Sequence, residues 1–287
     1  MTIPRLRLNI APDLSKGASN MPSVLSYVVS MLVYVAILVA LTEISRRSIW
    51  FGLALNLSLI VLLFLGDNVE GWFRWAKDIS VLFPMLVVHA ARLSAKYKPR
   101  NKVLAGLTGT PVLIFFCAIV GLNILEASVK DITMGNYWNG GCGLVMIACM
   151  PFAVKKSWRF TNDDKHVLIA DFSVAWCFLY TTWNACFVYA ESPAYFAASC
   201  CILFVPELYN AVSAKKKQDN LWLHARIYTL MIHVSVRSFR DVFTPFMDAT
   251  PWFDAGFKNA WGLVNFVLMA AYAVWWFSRK KPSALAA

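Results

Sequence analysis

Charge is scarce in this sequence. Only 15% of its 287 residues are Asp, Glu, Lys or Arg, and 59% are hydrophobic. That excludes an ordinary soluble domain, whose single core could not hide so much apolar surface. Segments of about ten alternating apolar and polar residues are missing too, which excludes a closed barrel and leaves helices as the way across a bilayer. The chain has no CxxC pair, no GxSxG, no HExxH, no paired aspartates within a span and no glycine-rich phosphate loop. It therefore offers no recognised nucleophile, zinc-hydrolase or nucleotide motif. The seven cysteines fall almost entirely inside apolar runs and read as small buried hydrophobes. His224 and His233 are nine residues apart, off the spacing at which one helix holds an ion, so the reading calls for no metal and no cofactor. Residues 1–23 carry Pro4, Arg5, Arg7, Pro12 and Lys16 without a compact apolar core, which argues against a cleavable signal.

The charge that is present is patterned. Basic clusters occur at Arg46–Arg47, Arg92 through Lys102, Lys155 through Lys165, Lys215–Lys217 and Arg279–Lys281, each separated from the next by two apolar runs. Acidic links lie between them: Asp67 and Glu70, Glu126 to Asp131, Glu191, and Asp241 to Asp254. Loops rich in Lys and Arg stay in the cytoplasm, so the pattern reads as a chain crossing a bilayer repeatedly. The net charge of +11 then belongs to loops facing an anionic leaflet rather than to nucleic acid.

The apolar runs predict an all-α fold, a polytopic transmembrane bundle of about nine helices with the N-terminus outside and the C-terminus cytoplasmic. The helices are expected over 24–43, 48–65, 69–92, 104–127, 138–156, 166–190, 194–213, 221–242 and 258–278. If the first run does not span, the count falls to eight and the N-terminus moves inside. The chain divides into an N-terminal arm (1–23), a transmembrane domain (24–279) and a short cytoplasmic tail (280–287).

Ionisable groups at membrane depth are expensive to keep and so mark candidate sites. An outer group forms where Glu70, Arg74, Lys77 and Asp78 share one face of the third helix. His233, Arg237, Arg240 and Asp241 repeat that spacing on the eighth, Glu126 and Lys130 pair at the outer end of the fourth, and Tyr180, Trp183, Asn184 and Phe187 share a face of the sixth. Two readings stay open. One is a network of ion pairs holding helix ends together. The other is a polar cavity open to the outer face, with arginines placed to hold a carboxylate or phosphate. On the second reading the binding candidates are Arg74, Lys77, Asp78, Glu126, Trp183, Asn184, His233, Arg237 and Arg240. A sparser inner group holds Glu43, His89, Asp171, Glu207, His224 and Arg226. Asp171, one turn into the sixth helix, and Glu207, directly after Pro206, are candidates for proton coupling, although Asp171 pairing with Arg226 or a cytoplasmic Lys serves as well.

The segments Asn123–Asp131, Tyr180–Tyr189 and Leu221–Leu230 carry Asn123, Glu126 and Lys130, then Trp183, Asn184, Phe187 and Tyr189, then His224, Arg226 and Thr229. They resemble an uncharacterised bacterial family of polytopic membrane proteins, a domain of unknown function. The resemblance covers most of the chain from the third helix onward. It implies a multi-pass protein of the bacterial cytoplasmic membrane and brings no known activity. Three functions fit the residues. The polar face and inner carboxylates suggest a permease or channel for a small polar or anionic solute. The 15% aromatic content beside acidic groups suggests an intramembrane isomerase, cyclase or transferase for a lipid or prenyl substrate. An accessory membrane subunit without its own chemistry is the third.

Overall fold

The computed structural model describes residues 24–69, 71–216 and 218–279. The arm 1–23, Glu70, Lys217 and the tail from Lys280 lie outside them. The chain is helical almost throughout: α1 (Val24–Arg47), α2 (Ile49–Leu65), α3 (Gly71–Tyr97), a short α4 (Lys102–Ala105), α5 (Thr110–Thr133), α6 (Tyr137–Ala148) and a short α7 (Val154–Ser157) come first. A two-stranded hairpin follows, β1 (Trp158–Phe160) and β2 (Leu168–Ala170), then α8 (Val174–Glu191), α9 (Phe196–Lys216), α10 (Trp222–Phe239), a short α11 (Thr244–Met247) and α12 (Ala255–Arg279).

Local chemistry marks the boundaries. Ser48 Oγ accepts from the Phe51 N–H at the start of α2, and Ser173 Oγ accepts from the Trp176 N–H at the start of α8, each satisfying an N–H that has no partner within the helix. Pro111 occupies the first turn of α5, where its missing N–H costs nothing. Pro206 does not break α9, which runs through it to Lys216.

Among the described residues, five helices are long and apolar enough to cross a membrane: α1, α3, α5, α9 with the turn before it, and α12. Leu32, Val33 and Ile37 of α1 and Val264, Val267 and Val274 of α12 point outward, an apolar exterior that a water-soluble monomer rarely presents. The remaining helices are shorter or more polar. α2 has 17 residues and α6 only 12, while α10 is buried round most of its circumference and carries His224, Arg226 and His233 inward. A helix shielded by its neighbours need not be apolar, because protein groups rather than lipid meet its side chains.

Contacts between the helices identify two ends of the bundle. At one end Arg92 reaches the carbonyls of Ser45, Arg46 and Lys165, and Arg159 pairs with Asp219. The basic clusters at Arg46–Arg47, Arg92–Lys102 and Lys155–Lys165 therefore meet there. At the other end Asp67 and Asn68 bond the carbonyls of Phe239 and Ser238, and Tyr27 stacks on Trp252. Gly66 permits this closure, since a Cβ there would run into the Ser238 carbonyl.

The structure corrects the bounds of three helices. The helix expected over 138–156 stops at Ala148, ahead of Pro151. The helix expected from 166 begins at Val174, because Leu168–Ala170 pairs with Trp158–Phe160 as an antiparallel strand. A short apolar run reads alike as buried strand or buried helix, and here it pairs with β1 as a strand. The helix expected over 104–127 begins at Thr110 and continues to Thr133. Glu126 and Asp131 thus lie within α5, and Asp131 is fully buried against Asn136 and Asn139.

Candidate functional site

A polar chamber of about 60 Å³ lies among α3, α5, α8, α9 and α10, lined by Arg74, Lys77, Asn184, Arg226, His233 and Arg237. At that size it holds a few waters or one small polar group. Arg226, His233 and Arg237 reach it because seven and then four residues bring α10 back to the same face. Arg74 and Lys77 do so from α3, one turn apart.

The cations are unevenly matched. Arg74 Nη2 lies 3.3 Å from Glu191 Oε1, and Arg237 Nη1 lies 3.9 Å from the other oxygen of that carboxylate. Arg237 also donates to Ser192 Oγ at 2.8 Å and sits 3.8 Å above the Tyr195 ring. Lys77 Nζ donates to Asn123 Oδ1 at 2.8 Å and lies 3.4 Å from Glu126. Arg226 donates to Tyr180 Oη and Asn184 Oδ1, each at 3.3 Å, and its Nη1 has no partner. Four cations thus face Glu191 and Glu126, with the carboxylate of Asp78 close enough to act on Arg74, Lys77 and Arg237, which leaves a formal excess of one positive charge. His233 is held by Tyr34 Oη at 3.1 Å and Ser199 Oγ at 3.4 Å.

Two further spaces adjoin the chamber, and a third lies beyond them. A vestibule of about 540 Å³ shares Phe73, Arg74, Glu191 and Arg237 with it. On the other side an apolar slot of about 80 Å³ shares Asn123, Tyr180, Arg226 and Leu230. Beyond the slot, Trp158 separates it from a cleft of about 580 Å³ lined by Lys98, Lys155, Arg159 and His166. α3 passes all four in order, from Arg74 at the vestibule to Ala95 at the cleft. At about 1.5 Å per helical residue this is a length of roughly 32 Å.

Of the residues singled out in the sequence, Arg74, Lys77, Asn184, His233 and Arg237 converge on the chamber, and Glu126 stands behind Lys77. Asp78 does not: it is buried on the α10 side and accepts from Ser238 Oγ. Trp183 is fully buried against Gly143, with Nε1 donating to the Asn139 carbonyl at 2.9 Å. Arg240 caps α10 and is exposed. Asp171 lies on the hairpin rather than inside a helix, 2.7 Å from Arg159. Glu207 accepts from Thr181 at 2.7 Å and from Trp222 Nε1 at 2.8 Å. Neither Asp171 nor Glu207 lines any of the four spaces. Glu191 and Arg226 are the residues that sequence reasoning assigned elsewhere. Arg226 was detectable, since it stands seven residues before His233 on the same face. Glu191 gave no signal, because nothing in a lone helix-terminal carboxylate reveals which arginines it will meet.

The hairpin at the cleft carries its own electrostatics. Burial pushes the Asp163 carboxyl up. Hydrogen bonds from Thr161 Oγ1 and the N–H groups of Lys165 and His166 outweigh that and hold it below the ordinary carboxylate range. Arg159, bonded to Asp171 and Asp219, is held more firmly protonated than usual.

Fold and site together define a helical bundle with an apolar, membrane-compatible exterior and a buried basic chamber. The chain belongs to DUF5692, a family of unknown function, whose model matches residues 21–274. The match takes in the first two helices as well as the segments from the third onward. No curated protein and no solved structure matches the chain.

Proposed function

We propose that the protein is a permease or channel for a small anionic solute, crossing the bacterial cytoplasmic membrane about nine times with its N-terminus outside. The observation that carries this reading is the series of four spaces strung along α3, with the cationic chamber in the middle. A low-dielectric wall around unbalanced positive charge attracts anions and repels cations. The basic clusters meeting at the cleft end support a cytoplasmic cleft and an outward vestibule. Because Asp171 and Glu207 stand apart from the path, passive flux is favoured over proton coupling.

The apolar slot favours a second reading, an intramembrane enzyme for lipid. The half-buried Ser80, Pro84, Ile119 and Val120 line it between α3 and α5, where a hydrocarbon tail would enter. Its lining includes no Asp or Glu to start acid chemistry, so the first reading is preferred. Proteoliposomes decide between them. Acetate or inorganic phosphate flux should exceed that of protein-free vesicles. Arg237→Gln should lower it about tenfold, the loss of one hydrogen bond to a charged group. Flux no greater than in empty vesicles would remove the permease reading.

A further inference from the structure

We propose that Arg226 is the anchor of a binding site for aliphatic monocarboxylates, with the carboxylate in the polar chamber and a short alkyl chain in the apolar slot. The inference rests on the permease reading for its biological role but not for its geometry.

Arg226 is 5% exposed, and its guanidinium enters no ion pair among the described residues. Its two hydrogen bonds are long and go to neutral oxygens, while Nη1 has no partner. A buried cation in this state is costly unless an anion joins it. Arg92 shows the contrast. It is also buried without a carboxylate, yet the Ser45, Arg46 and Lys165 carbonyls and Tyr228 Oη saturate it at 2.8–3.2 Å. The chain completes one guanidinium and leaves one nitrogen of the other without a partner, on a side chain that lines two cavities.

The position of Arg226 sets the ligand. It lines the chamber, where Lys77 supplies a second cation, and it lines the slot, where Val81, Pro84, Val88, Phe116, Ile119 and Leu223 supply apolar walls. A ligand bridging both spaces carries charge at one end and hydrocarbon at the other. The slot, at about 80 Å³, is roughly half the size of an apolar cavity of about 150 Å³ that takes up one benzene. That suits a chain of a few carbons. The same chemistry reaches the slot from water as a short acid or from the bilayer as a fatty acid, and the volume selects the short acid.

The test is equilibrium binding to the full chain in nanodiscs, with sodium acetate, butyrate, octanoate, palmitate and inorganic phosphate as probes. Butyrate should bind more tightly than acetate, phosphate and palmitate. Arg226→Gln should weaken butyrate at least tenfold, and Ile119→Trp, which fills the slot, should abolish the gain of butyrate over acetate. Both variants are first checked for a native elution profile. Arg226→Lys, which keeps the charge, serves if Arg226→Gln does not fold and should bind butyrate more weakly than the native chain. Equal binding of phosphate and butyrate, preference for palmitate, or an unchanged affinity in the Arg226 variant would each overturn the proposal. Binding without flux would instead count against the permease reading alone.

Discussion

Arg92 and Arg226 show how one residue type can hold a fold or await a ligand. Arg92 ties the ends of α1 and α3 to the hairpin through three backbone carbonyls, using the five donors of its planar fork. Arg92→Leu should cost about 3 kcal/mol, because hydrogen bonds to a charged group are lost and carbonyls are stranded. Reversible unfolding in mixed micelles would measure it, and a loss under about 1 kcal/mol would mean water takes over the carbonyls. Lysine at this position should recover only part, having a point charge in place of the fork. Sequence alone marked Arg92 merely as one cation in a loop cluster. Its burial follows from the meeting of segments more than 40 residues apart.

At the scale of elements, the hairpin is the least expected feature. Its strands place Trp158 inward at the slot and Arg159 outward toward Asp171 and Asp219. Asp163 steadies the turn in its ionised form. A carboxyl held lower in the folded state than in the unfolded chain stabilises the fold above its unfolded value near 3.9. That stability is lost as pH falls through the lower folded value. The hairpin should therefore loosen at acid pH, seen as a lower protection factor against amide exchange at Val167, whose N–H bonds Thr161 Oγ1. Asp163→Asn should remove this pH dependence. Equal protection at all acid pH values in the native chain would refute it.

For the whole molecule, the spacing of basic clusters announced that several loops share one side, and the contacts among Arg46, Arg92 and Lys165 agree. Single cysteines at Lys102 and at Ser192 should label from opposite faces of the membrane, with Lys102 reacting only after permeabilisation. Labelling of both from one face would break the proposed topology. Composition and charge order by themselves determined the helical class, the apolar exterior and the end of the bundle where cations gather. Those properties depend on local hydrophobicity and on which links carry Lys and Arg. Only the tertiary structure decided that Arg226 joins Arg74, Lys77 and Arg237 while Trp183, Arg240 and Asp171 stand apart. Helical periodicity says which side chains share a face, but the neighbour that face meets depends on packing between distant segments.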